Sequence, residues 1–177
     1  MRKAAVVGAV FLVSVGAFYY FSPYVALQGL QTAIAEADAA ALDERVDFPQ
    51  LRENLKAQLN AVMLKETSSE LEDNPFAALA LGFASTMVDG VVDAFVTPSG
   101  LANLSKGNRP APGTGGPPLS DSPTSSDELF EDARLTRDSF DRFSLWVSDD
   151  EGGEIQFVFR RSGLGWRLTS IFIPLED

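Results

Sequence analysis

The feature that most constrains this chain is an uncharged apolar run close to its N-terminus. The run extends from Ala4 to Phe21 and follows two basic residues, Arg2 and Lys3. Roughly 20 apolar residues in a helix span a hydrocarbon core about 30 Å thick, so residues 4–21 are predicted to enter the lipid bilayer. The next basic residue is Arg45. The positive-inside rule therefore predicts a cytoplasmic N-terminus, with the remaining chain across the membrane.

Two interpretations of this segment place the rest of the chain on the same side of the membrane. Residues 15–17, Val-Gly-Ala, resemble the small-residue cleavage site of a signal peptide. The aromatic cluster at 18–21 is typical of a helix that stays at the membrane–water boundary. We expect residues 1–22 to be an uncleaved anchor, with secretion after signal cleavage as the alternative. Because a proline restricts its predecessor to extended geometry, a break is predicted at Pro23.

Composition limits the chemistry that the rest of the chain can carry. It contains 14 Lys and Arg residues and 25 Asp and Glu residues, which gives a net charge of -11. Such a surface repels phosphate backbones, so nucleic acid is not expected as a partner. The sequence contains no Cys and no His. These absences remove thiolate nucleophiles, Cys metal sites and imidazole bases, and no cofactor is expected.

Residues 23–106 have the apolar spacing of helices. In the first of these helices the apolar residues recur at intervals of three and four, which places them on one helical face. They are Leu27, Leu30 and Ile34. Asp38 is expected to cap a short helix over 39–45. Pro49 suits the first turn of a third helix, which is predicted to end near Glu66.

A fourth helix is predicted from Phe76 to Val96, after the start signal Asn74-Pro75. Its apolar composition raises the question of a second membrane span, but Asp89 and Asp93 interrupt it. A central Asp costs about 2.5–3.5 kcal/mol on insertion scales. We therefore expect a buried helix of the soluble domain.

Asp89 and Asp93 are the main candidates for chemistry, because their spacing of four puts both carboxylates on one helical face. A functional interpretation is an acid/base pair or a cation site, with Asp47 as a further candidate base. The alternative, which we favour, is the solvent-facing edge of an apolar helix. Two carboxylates alone supply too few oxygen ligands for Ca²⁺. No metal site is expected.

The last third of the chain contains a Pro- and Gly-rich segment followed by a segment with the pattern of strands. Residues 107–126 hold five Pro and four Gly, which predicts a disordered surface loop. In residues 127–177 apolar and polar side chains then alternate with a period of two, between short turns. This pattern predicts an antiparallel meander. Trp166, Leu168, Ser170 and Phe172 are expected to share one face of its last strand. A short edge strand is expected at 133–136, and an acidic turn at 149–151 is interpreted as solvated.

The predicted class is therefore α+β, with helices packed on one face of a three- to four-stranded antiparallel sheet. Several segments together resemble an uncharacterised bacterial family, domain-of-unknown-function family 2939. The resemblance covers most of the chain outside the linker and includes Ser22-Pro23-Tyr24, Val46-Asp47-Phe48-Pro49, Val96-Thr97-Pro98-Ser99-Gly100-Leu101, Phe140-Asp141-Arg142-Phe143 and Trp166-Arg167-Leu168-Thr169. It implies no activity and no catalytic residue. The element order also resembles the NTF2-like or cystatin-like cone, in topology alone.

Two functional hypotheses follow. The first is a non-catalytic domain, anchored in a bacterial inner membrane and facing the periplasm, that binds a small apolar ligand or an envelope protein. The absence of His and Cys and the presence of 13 Phe residues motivate it. The second is an NTF2-like enzyme in which Asp89, Asp93 or Asp47 acts as a general base, since an apolar pocket raises the pKa of an Asp.

Overall fold

The computed structural model describes residues 2–73, 76–105, 133–148 and 153–173, and within them the chain has the predicted α+β architecture. The predicted linker at 107–126, the Asn74-Pro75 start signal and the acidic turn at 149–151 lie outside these ranges. In chain order the elements are α1 (Arg2–Ala35), α2 (Ala39–Arg45), α3 (Phe48–Asp73), α4 (Ala77–Phe95), α5 (Pro98–Ser105), β1 (Arg134–Arg137), β2 (Arg142–Ser148), β3 (Glu154–Ser162) and β4 (Gly165–Phe172).

The four strands form one antiparallel sheet in the order β1-β2-β3-β4. Leu145 is the register partner of Leu135 on one side and of Phe157 on the other. The expected edge strand is thereby confirmed, as β1. One sheet face is apolar because these cross-strand partners point to the same side.

A bulge in β4 overturns the predicted distribution of its side chains. Phe159 pairs with Leu168 and Val158 pairs with Ser170, so Thr169 is an extra residue on its strand. An extra residue shifts the alternation by one. Ile171 therefore lies on the apolar face with Phe157, whereas Ser170 and Phe172 lie on the opposite face. The prediction that these last two share a face with Trp166 is wrong.

The core lies between the apolar sheet face and α1, α2, α5 and the first turn of α3. At its centre Phe143 stacks on Phe159 with ring centroids 4.6 Å apart, and Trp166 meets Phe143 edge-on at 4.9 Å. The buried apolar side chains of the helical layer are Leu30, Ala33, Ala37, Leu42, Val46, Phe48, Leu51 and Ala102. As predicted, Asp38 caps α2, since its carboxylate accepts from the backbone N–H groups of Ala40 and Ala41.

Helix α1 continues through Pro23, where a break was predicted. A proline inside a helix leaves the carbonyl four residues earlier without its N–H donor. Here that carbonyl belongs to Tyr19, and it accepts from Ser22 Oγ at 3.2 Å and from Arg137 Nη2 at 3.5 Å. The Pro23 ring is itself fully buried. Side-chain donors and core packing therefore compensate for the backbone hydrogen bond that Pro23 cannot make.

Helix α3 covers the open edge of the sheet. The β4 carbonyls of Leu168, Thr169 and Ile171 accept respectively from Asp47 N at 2.8 Å, Asn54 Nδ2 at 3.1 Å and Gln58 Nε2 at 2.8 Å. An unpaired edge strand is a template for association with another chain. These three bonds, from one helix and its cap, occupy that edge.

Two predictions for α3 and α4 need correction. Helix α3 continues to Asp73 rather than ending near Glu66. Helix α4 is not buried: it packs against α3 on one side and exposes an apolar stripe on the other. The exposed side chains of the stripe and the residue before it are Phe76, Leu79, Phe83 and Met87.

Among the described residues, one helical segment is long and apolar enough to cross a membrane, Val10–Ala35 within α1. Helices α4 and α5 meet the same criterion only if they are taken together as one span bent by 76°.

Candidate functional site

An apolar groove of about 460 Å³ lies between α1, α2 and the turn that joins β3 to β4. Its lining is dominated by the side chains of Phe18, Phe21, Val25, Leu164 and Trp166. Ligand pockets are typically apolar clefts with few polar groups. The groove has that character, and it begins within the predicted membrane segment.

One face of α1 forms the long wall of the groove. Residues 17, 18, 21, 22, 25 and 26 line it, and this spacing keeps them on one side of a helix. Phe18, Phe21 and Val25 are all exposed. The wall therefore presents apolar surface that the described part of the chain leaves uncovered.

Trp166 forms the rigid back of the groove. Its indole is only 7% exposed, and Nε1 donates to Ser22 Oγ at 2.9 Å. The indole also meets Phe143 of the core in a T-shaped contact. Trp166 is thus the core aromatic that the alternating pattern indicates, and one edge of it also lines the groove. A buried Trp N–H with an acceptor holds its ring in one orientation.

The upper end of the groove carries two charged side chains, Arg45 and Glu44. Arg45 lies across α1 at Gly29, where a Cβ would come within 2.6 Å of its Nε. The guanidinium of Arg45 also donates to the Ala41 carbonyl at 3.5 Å, and Glu44 lies 4.0 Å away. A side chain at position 29 would therefore push the Arg45 guanidinium away from the helix. An apolar channel that ends at a guanidinium suits a ligand with an apolar tail and an anionic head.

A second concavity, of about 690 Å³, lies on the opposite face of the sheet and is polar. Two of its lining side chains are linked through the buried Ser144: Gln156 Nε2 donates to Ser144 Oγ at 2.9 Å, and Ser144 Oγ donates to Asp138. Arg142 lies 3.6 Å from the same Asp138 carboxylate. The Ser139 hydroxyl beside Asp141, with help from backbone N–H, Arg160 and Arg142, holds the pKa of Asp141 below its ordinary value of 3.8. These polar groups satisfy one another within the protein.

The three predicted acid/base candidates do not converge on either concavity. Asp47 caps α3, with Oδ1 accepting from the Gln50 N–H at 3.2 Å. Asp93 is an exposed partner of Lys56 Nζ at 2.7 Å. Asp89 is half-buried, and its Oδ1 has no hydrogen-bond partner among the described residues. Neither the apolar groove nor the polar recess includes any of these three side chains.

Sequence reasoning did not identify the groove residues. The α1 side of the groove did have a sequence pattern, because its residues from Ala17 to Ala26 keep the spacing of a single helical face. The contribution of Arg45 and Leu164 had no comparable signal. Their positions depend on how α2 and the β3–β4 turn pack beside α1.

A family model described as "Protein of unknown function (DUF2939)" matches residues 12–104. The match begins inside the apolar run and ends in α5, so the strand motifs Phe140-Asp141-Arg142-Phe143 and Trp166-Arg167-Leu168-Thr169 lie beyond it. No curated protein and no solved structure shows significant similarity to the chain. The likeness to an NTF2-like cone therefore stays a prediction.

Proposed function

The chain belongs to the DUF2939 family of proteins of unknown function, and we propose that it is a non-catalytic, membrane-anchored module that binds an amphipathic, anionic ligand in the apolar groove. The observation that carries the proposal is the continuity of the groove with the apolar helix. Phe18 and Phe21 belong to the predicted membrane segment and also line the groove. A ligand with an apolar tail would reach it without crossing water.

Each end of the groove would contact a different end of the ligand. Phe18, Phe21 and Leu164 would contact the tail, and burial of apolar area is worth roughly 25 cal/mol per Å². Arg45 would face the head group. Its guanidinium has a fork of N–H donors that matches a carboxylate or a phosphate.

The proposal includes a location. Helix α1 would remain uncleaved in a bacterial inner membrane, and the domain would face the periplasm. Arg2 and Lys3 precede the apolar run and no other basic residue occurs before Arg45, a distribution that favours this orientation. Protease added to intact spheroplasts should then digest the domain; protection until lysis would exclude the orientation.

Ligand binding is testable with palmitate and its uncharged methyl ester as probes. The full chain in detergent, titrated and followed by native mass spectrometry, should retain palmitate several-fold more tightly than the ester. Val25→Asp should abolish the retention of both probes, because it places a charge in the groove wall. Arg45→Gln should remove only the preference for palmitate.

Arg167→Gln is the matched control, since this arginine lies on β4 outside the groove. It should leave both affinities unchanged. Absence of palmitate binding, or binding that is indifferent to both groove substitutions, would overturn the proposal.

A further inference from the structure

Two exposed apolar loop tips lie at the same end of the sheet. Phe140, in the loop that joins β1 to β2, is 74% exposed, and Leu164, in the turn that joins β3 to β4, is 80% exposed. The loops are adjacent because β2 and β3 pair there, and Arg161 N donates to the Asp141 carbonyl at 2.8 Å. Large apolar side chains at such tips gain nothing from the protein core.

Both tips are attached to the last turns of the apolar run. Tyr19 donates from its hydroxyl to the Phe140 carbonyl at 2.7 Å, and the two rings stack at 4.8 Å. On the other side, the Trp166–Ser22 hydrogen bond holds the β3–β4 turn against α1. The depth of the tips along α1 is therefore set by direct contacts.

That depth coincides with the membrane boundary. The run from Ala4 to Phe21 rises about 27 Å at 1.5 Å per residue, close to the thickness of a hydrocarbon core. Tyr19 belongs to its final turn. The tips that contact α1 near Tyr19 and Ser22 therefore lie where acyl chains meet headgroups.

Two arginines lie at the same level. Arg137 donates to the Tyr20 carbonyl at 2.6 Å and lies over the Tyr19 ring at 5.3 Å. Arg161 lies over Tyr19 and Trp166, 5.3 Å from each ring. Arginine and aromatic side chains together are typical of the interfacial region. They also place positive charge on this end of a chain whose net charge is -11.

We propose that this end of the sheet is a second membrane contact: Phe140 and Leu164 insert at the acyl–headgroup boundary of the bilayer that holds α1, and the exposed Arg137 faces lipid phosphates. The occupant is the bilayer itself, because the tips continue the apolar surface of α1. The proposal rests on the membrane location of α1 given above. Leu164 also lines the groove, so Phe140, which lies outside it, separates membrane contact from ligand binding. It predicts a domain held close to the membrane rather than on a free stalk.

The absence of Cys allows single labels to be placed at will. Full-length Phe140→Cys and Leu164→Cys, each carrying an environment-sensitive fluorophore, would be reconstituted in phosphatidylcholine–phosphatidylglycerol vesicles. Ser148→Cys, at the opposite end of β2, is the aqueous control, and Leu12→Cys reports insertion of α1. Labels at 140 and 164 should be quenched several-fold more by brominated lipid than the label at 148.

Two outcomes would overturn the proposal, and they are distinguishable. If the label at 12 is quenched by brominated lipid but those at 140 and 164 respond like the label at 148, the tips do not dock and the anchor stands. If the label at 12 is also accessible to an aqueous quencher, the membrane location fails as well. Palmitate retention in detergent reports on the groove separately.

Discussion

The two halves of α1 form one unbroken helix, yet they face different surroundings. In the first half Val7, Val10, Phe11, Leu12 and Val13 are all exposed, Leu12 by 71%. In the second half Leu30 is 3% exposed, because it packs on α2, α5 and the sheet. A helix that is apolar all round needs an apolar environment, whereas one with a single apolar stripe needs only a core on that side. The first half is therefore the part that the proposed anchor places in lipid, whereas the second half depends on protein contacts.

The strongest way to test this difference is to damage the core on which the second half packs. Phe143→Ala should lower the free energy of unfolding by roughly 3–5 kcal/mol, because it leaves a cavity beside Phe159 and Trp166. Urea denaturation of the chain in detergent would measure it. Exposed Phe83→Ala is the control and should change stability little. A small effect of Phe143→Ala would mean that the core is elsewhere.

The reciprocal test damages the first half. Leu12→Arg should cost about 2.5–3.5 kcal/mol of membrane insertion and move much of the chain to the soluble fraction on carbonate extraction. Its urea midpoint should not move, since Leu12 contributes nothing to the core. Gln28→Arg puts the same charge on the exposed face of the second half and should extract like the wild type. Equal behaviour of the two arginine variants would contradict the division of α1.

A smaller effect is expected where the halves meet. Ser22→Ala leaves Trp166 Nε1 without its acceptor and removes one donor to the Tyr19 carbonyl. A buried group without a partner costs about 1–3 kcal/mol. Ser14→Ala deletes a hydroxyl that bonds only within the first half, to the Val10 carbonyl, and should have no effect on unfolding. If both serine variants unfold at the same urea concentration, the junction does not depend on this bond.

The smallest effect concerns the end of the second half. Asp38→Ala removes the cap that starts α2 directly after α1, at an expected cost of about 1 kcal/mol. Asp43→Ala removes an equal charge from inside α2 without touching the cap. A thermal unfolding scan should separate the two variants by a few degrees. Equal melting temperatures would show that only the charge matters.

Much of the architecture could be predicted because it depends on local patterns. The period of two predicted the meander, and Asp38 predicted the start of α2. The groove could not be predicted, because it brings together Phe21, Arg45 and Leu164 from three separate elements. The same is true of the β4 edge, where Asn54 and Gln58 act as donors to a strand more than a hundred residues away.

Sequence alone determined the apolar character of residues 4–21 and the order of helices before strands, because hydrophobicity and period are properties of neighbouring residues. Tertiary structure decided the fate of Pro23 and the faces of β4. Pro23 stays inside a helix because its ring is buried in the core and because Ser22 and the distant Arg137 both donate to the carbonyl that the proline leaves unpaired. The faces of β4 depend on a bulge that exists only in its register with β3. In both cases part of the stabilising free energy comes from groups that are remote in sequence.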